Sequence, residues 1–412
     1  MKLLVVSQYF WPENFRINEL VRSLVARGHN VEVLTGKPNY PEGTIFPGYR
    51  AWGCQQEQWS GATVHRLPLV ARETKSAIKL SLNYLSFVLS GLLFAPWLLR
   101  RRQYDAVFVY ATSPILQALP ALLLGRIKKA PVAIWVQDLW PASLSATGYV
   151  RSSAVLKGVE SVVSFIYNNA ELLLVQSRAF VGPVAALARG KAIIYYPNSV
   201  DMAFADVLSP DDVLPDVPAL DEGFAVVFAG NVGAGQAVEV IVNAADLLKD
   251  VPEIRFVVFG QGSRWGWMRE QVLSRGLTNL HLPGRFPVNT MPGLMQKAGA
   301  LLVTLADEPI FALTVPNKVQ AYLAAGRPIL ACLNGEGARL VEESQAGLSV
   351  PAQNAKALAA AVVQLFRMTS EERAALGTNG QRYFREHFDN EKLVDELVVH
   401  LSAMKMTAGA IA

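Results

Sequence analysis

The sequence predicts an α/β chain made of two Rossmann-like, doubly wound parallel-sheet domains, and three observations carry that reading. Short apolar runs alternate with amphipathic segments along nearly the whole chain, the order expected of a parallel sheet covered by helices on both faces. Runs such as Ala106–Val109 are apolar throughout, as strands buried on both faces must be. The rhythm breaks once, between Asp201 and Gly223, where five aspartates precede Asp221-Glu222 and Pro210, Pro215 and Pro218 interrupt any periodicity. That break marks an exposed connection, a linker over 201–223, between an N-terminal domain at 1–200 and a second domain starting at 224.

In the first domain the expected strands are Lys2–Val6, Val31–Leu34, Thr63–Leu67, Ala106–Tyr110, Val132–Val136, Leu172–Val175 and Ile193–Tyr195. Between the first two, Ile17, Leu20, Val21, Leu24 and Val25 recur at helical spacing, and Arg27-Gly28-His29 supplies the stop. The second domain gives strands Ala225–Phe228, Arg255–Phe259, Leu280–Leu282, Leu301–Thr304 and Ile329–Ala331. Helices fall near Ala237–Leu248, Trp265–Arg275, Thr290–Lys297 and Asn317–Ala325, and helical periodicity continues from Ala355 to about Met404.

Composition narrows the function. The 412 residues suffice for two or three domains, and a net charge of +4 does not mark a nucleic-acid binder, although it allows contact with an acidic surface. Cys54 and Cys332 stand too far apart in sequence for a disulfide framework or a cysteine zinc site. The apolar start, Met1 to Val6, is too short for a secretory core, so a cytoplasmic location is expected. From Leu80 to Leu99 there is no charge for twenty residues, and Arg100, Arg101 and Arg102 follow directly. The segment reads as a membrane-facing helix near 77–99, with Leu92, Leu93, Phe94 and Trp97 as its apolar contacts. An ordinary core helix and a true span are the alternatives, the span disfavoured by Asn83, three serines and Pro96.

Glycines after strands let a phosphate approach the backbone at a helix N-terminus, although each alone is as consistent with a simple tight turn. The second domain has two such turns, Gly230-Asn231-Val232-Gly233-Ala234-Gly235-Gln236 and Gly260-Gln261-Gly262-Ser263-Arg264, followed by Gly284-Arg285-Phe286. Further on, Pro316, Asn317 and Lys318 open a helix. Asn317 is the expected N-cap, and a lysine in a first turn opposes the helix dipole unless an anion is present. Lys318 and the free backbone N–H groups of that helix start form a site for a diphosphate. In the first domain no glycine follows the first strand, which removes the dinucleotide fingerprint. Its polar residues Glu13, Asn14, Arg16 and Tyr40 would meet an acceptor, and Asp138 ends an apolar strand, either as a helix cap or as a polar group beside a reacting sugar. There is no D-x-D, H-E-x-x-H, G-x-S-x-G or Walker A sequence, and the five histidines show no ligand spacing. No metal and no cofactor are expected.

These residues resemble a family-4, retaining GT-B glycosyltransferase of bacterial surface-polysaccharide synthesis, in the branch of N-acetyl-L-fucosamine (WbuB-like) and colanic-acid transferases. The carriers are SQYFWPENFRINEL, RGHNVEVLTGKPNYPEG, VQDLWP, PNSVD at Pro197–Asp201, FAGNVGAGQAVE and VPNKVQAYLAAGRPILA. The resemblance implies a nucleotide-sugar donor on a C-terminal domain at 224–389, a polyprenyl-diphosphate-linked saccharide acceptor on the first domain across a cleft, and a helix at 390–412 that crosses back to the first domain. It further implies metal-independent transfer with retention at the cytoplasmic face of the inner membrane. Two departures stand out. An arginine and a lysine usual in the first glycine turn are here Asn231 and Gln236, and two glutamates eight positions apart are here Leu313 and Ala321. That leaves the diphosphate to Lys318, Arg264 and the helix N-terminus at Asn317, and the ribose and sugar-hydroxyl contacts to Glu308 and Glu336 or Glu342. A catalytically silent nucleotide-sugar-binding scaffold and a sugar-nucleotide epimerase are therefore the rival readings.

Overall fold

The alternation of apolar and amphipathic segments builds two parallel sheets, each the centre of its own unit. The computed structural model describes residues 1–73, 77–146, 152–200 and 214–411. One unit comprises residues 1–197 together with 391–412, and the other residues 198–390.

The first unit runs β1 (Lys2–Val6), α1 (Ile17–Ala26), β2 (Asn30–Gly36), β3 (Gln55–Trp59), β4 (Ala62–Leu67), α2 (Ala77–Leu98), β5 (Ala106–Ala111), α3 (Ala118–Lys128), β6 (Val132–Val136), α4 (Ala142–Ala146), α5 (Ser153–Asn168), β7 (Leu172–Val175), α6 (Val181–Leu187) and β8 (Ala192–Tyr195). The sheet order is β3-β4-β2-β1-β5-β6-β7-β8. Every pairing is parallel except β3 on β4. Strand β3, with the sequence QQEQW, is absent from the sequence reading for a physical reason. It is an edge strand whose residues are mostly exposed or half-exposed, so it carries no apolar run.

The second unit runs β9 (Phe224–Ala229), α7 (Glu239–Leu247), β10 (Ile254–Phe259), α8 (Trp265–Arg275), β11 (Leu280–Gly284), α9 (Met291–Gln296), β12 (Ala300–Thr304), α10 (Pro309–Leu313), α11 (Asn317–Ala325), β13 (Ile329–Cys332), α12 (Glu336–Glu343), β14 (Gly347–Val350), α13 (Ala355–Arg367) and α14 (Ser370–His387). Its sheet order is β11-β10-β9-β12-β13-β14. The short edge strand β14 and the helices α10 and α12 are also unforeseen. The first thirteen residues of the expected linker, 201–213, lie outside the described residues. The remainder is exposed only in part: Asp216, Pro218, Asp221, Glu222 and Gly223 are exposed, whereas Val217, Ala219 and Leu220 are buried in the core of the second unit.

The last helix, α15 (Asn390–Ile411), packs on the first unit. Leu393, Val394, Leu397 and Leu401 are buried against the β1–α1 core. The Tyr196 hydroxyl donates to the Leu393 carbonyl at 2.9 Å. Arg27 on α1 meets Glu391 at 2.8 Å and Asp395 at 2.6 Å.

Helix α2 has one packed face and one bare face. Asn83, Phe87, Val88 and Ala95 are buried, and Gly91 approaches α3 so closely that a Cβ there would lie 2.7 Å from Pro120. On the other side Leu82, Leu85, Leu89 (58% exposed), Leu93 (70%) and Trp97 (64%) form an apolar stripe. Only 28% of its most apolar stretch is buried, which overturns the core-helix alternative. By length and composition alone the helix could cross a membrane, but its packed face belongs to the unit. Leu92 is half-buried, so the bare stripe runs through Leu89, Leu93 and Trp97, with Phe94 beside it.

Both sheets reverse their winding beside the first strand, β1 next to β5 and β9 next to β12. Such switch points place a ligand crevice at the carboxyl ends of the strands.

Candidate functional site

In the second unit the two glycine turns pack on each other. Gly230 and Gly260 both take positive φ, 138° and 139°. A Cβ on Gly260 would fall 1.8 Å from the Gly230 carbonyl oxygen, and one on Gly262 would fall 2.4 Å from the Val232 carbonyl oxygen. Backbone bonds join the turns: Gly230 N–H to Phe259 O at 2.8 Å, Val232 N–H to Gln261 O at 3.0 Å and Gly260 N–H to Gly284 O at 2.8 Å. These glycines are required first by the contact between turns.

Beneath that floor lies Lys318, partly buried, in the first turn of α11. A Cβ on Gly230 would meet its Cε at 2.7 Å. The ammonium donates to Gln236 Oε1 and sits 3.7 Å from the centroid of the Phe228 ring. No carboxylate pairs with it among the described residues, and burial lowers its pKa to about 7. Tyr322, one turn on, fixes the helix: its hydroxyl accepts from Ala229 N–H at 3.1 Å and donates to Leu302 O at 3.3 Å. Helix α11 thus places a cation at the side chain of Gln236, in the first glycine turn.

Three expectations change here. Asn317 is not the N-cap: Pro316 occupies that position in extended backbone, and Asn317 Oδ1 instead accepts from Asn198 Nδ2 at 3.1 Å. Arg264 is not a free cation, because its guanidinium pairs with Glu239 and stacks 4.6 Å over Trp267. Glu336 grips Arg339 through both oxygens at 3.0 Å. Asn231 is exposed, with its amide against Gly233. Arg285 and Glu308 are exposed, and Glu308 precedes α10 without capping it. Phe286 packs edge-on against Phe259 at 5.4 Å.

In the first unit Asp138 follows β6. Its Oδ2 accepts from Ser113 N–H at 2.9 Å and from Ser113 Oγ at 2.8 Å, and Trp140 Nε1–H donates to the same Oγ at 3.0 Å. Its recorded bonds run to the loop after β5, not to a helix start, which removes the cap alternative. Burial holds its pKa above the usual carboxylate range. Glu13 is also corrected. It is 2% exposed, and its Oε1 accepts from the Asn39 and Tyr40 N–H groups, both at 2.7 Å, while Oε2 accepts from Phe10 N–H at 3.1 Å. It clamps two loops and does not reach out to a ligand; burial pushes its pKa up to about 7 against the lowering effect of those donors.

Tyr40, 37% exposed, packs against Tyr9 and Phe15, and the Arg72 guanidinium lies 4.8 Å over its ring. Asn14 is exposed. The partly buried Arg16 guanidinium has no hydrogen-bond partner among the described residues, and its Nε is shielded from solvent.

The chain matches the family described as glycosyl transferases group 1 over residues 223–368 and the glycosyl transferase 4-like domain over residues 14–198. It is 29% identical over 342 residues to WcaI of Escherichia coli K12, named for colanic acid biosynthesis, covering 79% of this chain and 82% of that protein. It is 26% identical over 333 residues to the glycosyltransferase WbjE of Pseudomonas aeruginosa, covering 74% and 82%. This chain belongs to the family-4 GT-B glycosyltransferases of surface-polysaccharide synthesis. Solved structures share its fold. Sucrose-phosphate synthase of Thermosynechococcus elongatus aligns over 100% of both chains at TM-score 0.73 and 16% identity. Anabaena HepE in complex with UDP aligns over 98% of this chain and 100% of its own at TM-score 0.68 and 15% identity.

Sequence reasoning missed two features of this glycosyltransferase. One is the Ser113–Trp140 pair that orients Asp138. The other is a buried amide chain at the strand ends. Gln8 Nε2–H donates to Asn83 Oδ1 at 2.7 Å, Asn83 Nδ2–H donates to Asn39 Oδ1 at 3.2 Å and to Val70 O at 2.6 Å, and Gln117 Oε1 accepts from Gln8 N–H at 2.7 Å. Asn83 thereby ties α2 to the loops that carry Glu13 and Tyr40. Its one sequence signal was an asparagine inside an otherwise apolar helix.

Proposed function

We propose that this glycosyltransferase moves a sugar, with retention and without a metal ion, from a UDP-sugar to a saccharide on a polyprenyl diphosphate in O-antigen, capsule or exopolysaccharide synthesis. The observation that carries the proposal is Lys318, a partly buried ammonium without a carboxylate partner beneath the glycine floor. As the bond from the anomeric carbon to the diphosphate breaks, negative charge grows on the leaving oxygen. A preorganised cation in a dry site stabilises that charge far more than water can. Gly230, Gly233, Asn231 and Gln236 would line the diphosphate, and Arg285, Phe286 and Glu308 the rest of the nucleotide sugar. UDP as carrier is supported by the solved complexes of HepE with UDP and of the E. coli trehalose-6-phosphate protein with UDP-2-fluoro glucose. No group of three or more His, Cys, Asp or Glu among the described residues is placed to hold a metal. The bare face of α2 would lie in the cytoplasmic membrane surface, where the acceptor lipid resides.

The first test is thermal shift against UDP-, GDP- and dTDP-sugars, UDP-N-acetyl-L-fucosamine among them, with and without EDTA. A ligand that binds only the native state raises its melting temperature. One UDP-sugar should raise it equally in both conditions, and transfer assayed with that sugar should survive EDTA. A shift that requires metal contradicts the metal-free mechanism, no shift with any nucleotide sugar removes the donor site, and a shift without transfer favours the silent scaffold.

The pH dependence follows from Lys318. The diphosphate binds the ammonium form, and the free protein holds that form only below about pH 7. Donor affinity should be flat below pH 7. Above it each binding event takes up a proton, so affinity should fall by up to about tenfold per pH unit. Calorimetric titration of the wild type and Lys318→Ala from pH 6 to 9 reads this directly, and identical affinities and profiles remove Lys318 from the diphosphate.

A further inference from the structure

The turn that ends α2 is built differently from the rest of the helix. An open cavity of about 320 Å³ lies there, lined by Leu98, Arg100, Arg101 and Arg102, at the small end of ligand-sized cavities (roughly 300–1,000 Å³). The turn is braced from beneath: the buried Lys128 ammonium donates to the carbonyls of Leu99 at 2.6 Å and Arg100 at 3.2 Å. Arg100 lies 4.6 Å over the Trp97 ring, at the end of the bare apolar stripe. Arg101 has no ion pair among the described residues, and Arg102 reaches Glu32 only at 3.5 Å. Beside them α3 ends in Arg126, Ile127 and then Lys129, all exposed. Several cations therefore border the end of an exposed apolar face, a combination that fits an anionic, lipid-covered surface.

The position excludes another occupant. The arginine turn leads into β5 at the amino edge of the sheet, where Asp105 accepts from Lys2 N–H at 2.7 Å. Asp138, Glu13 and Tyr40 lie at the carboxyl edge, and Asn83 reaches that edge from the other half of α2. At 1.5 Å per residue, Asn83 and Leu98, the last residue of α2, are ~22 Å apart along the helix axis. An acceptor diphosphate, one or a few sugars from the reacting carbon, does not span that length.

We infer that the Arg100–Arg102 turn is a headgroup site for an anionic phospholipid, separate from the acceptor's diphosphate. It rests on the proposed placement of α2 in the membrane surface. The guanidinium fork suits a phosphate diester, the cavity admits it, and the stripe through Leu89, Leu93 and Trp97 takes the neighbouring acyl region.

The test is co-flotation of the full chain with vesicles of phosphatidylcholine alone or with one third phosphatidylglycerol. The wild-type protein should bind the anionic vesicles more tightly. At about fivefold per arginine, R100Q/R101Q/R102Q should lose roughly a hundredfold of that affinity. Binding to neutral vesicles, and transfer to a water-soluble short-chain acceptor, should be unchanged. R100K/R101K/R102K, which keeps the charge, should recover only part of the loss; full recovery would mean that the arginines attract as charges alone and would overturn the headgroup site. Loss of transfer to the soluble acceptor would assign the arginines to the acceptor diphosphate, and an arginine-dependent thermal shift with inorganic phosphate alone would make this a free-phosphate site; either overturns the proposal. Equal wild-type binding to both vesicle types sinks the headgroup site and leaves the membrane placement standing. Failure to bind any vesicle sinks that placement as well.

Discussion

Lys318→Ala is expected to lower turnover by about a hundredfold or more, the loss typical of a single anion-stabilising donor, while the protein stays folded. The two halves of that expectation have different causes. The ammonium is partly buried beside Gln236 and Phe228 with no carboxylate to offset it, and burial lowers its pKa to about 7. In the absence of an anion this charge is a cost to the fold, so its removal should leave the melting temperature little changed. In the proposed mechanism the same charge would stabilise the breaking glycosyl–phosphate bond. Lys318→Arg should not restore activity, because Gly230 already closes against the lysine stem and leaves no room for the wider guanidinium. Steady-state kinetics of the folded variants decide the matter. Near-normal turnover in Lys318→Ala removes the residue from the chemistry.

Lys318 draws attention in the sequence because its signal is local, although the groups around it, Gln236, Phe228 and Gly230, are not. Pro316 and Gly326 punctuate the helix, and a lysine in its first turn is a visible misfit. What the sequence did not show were partners brought in from a distance. Arg264 reads as a free cation until Glu239, 25 positions away, is folded against it. Glu13 reads as an exposed carboxylate because the groups that saturate it are backbone N–H groups, which leave no mark in composition. Asn317 has the chemistry of a cap, but the preceding proline takes the extended position that a cap requires. The strands themselves, though not their order in the sheet, followed from apolar runs wherever strands are covered on both faces. It failed at the edge strands β3 and β14, where half-exposed residues need no such run. Helix α2 shows the same limit: with both faces apolar, periodicity could not say which side packs. The inner side is set by Asn83 and by the close approach of Gly91 to Pro120.

The second large effect concerns the glycines read as a phosphate cradle. Gly260→Ala is expected to destabilise the second unit by about 3–5 kcal/mol, the range of severe core disruption. Its Cβ would lie 1.8 Å from the Gly230 carbonyl oxygen, on a backbone at φ 139° that L side chains rarely adopt. Neither atom is the end of a flexible side chain, so relief requires moving the β9 and β10 turns apart. That movement would also break the Gly230 N–H bond to Phe259 O and withdraw the floor from Lys318. Gly266 supplies the contrast. It lies in α8 with nothing within 4 Å of its added Cβ, so Gly266→Ala should stabilise by roughly 0.5–1 kcal/mol, as alanine does in a helix interior. Denaturant unfolding of the two variants, with donor binding measured on whatever remains folded, separates the causes. Early unfolding of Gly260→Ala together with weak donor binding means that contact between the turns shapes the site before any ligand arrives. A Gly260→Ala protein that unfolds like the wild type yet fails to bind donor would reverse that order and make close approach of the phosphate the reason for the glycine.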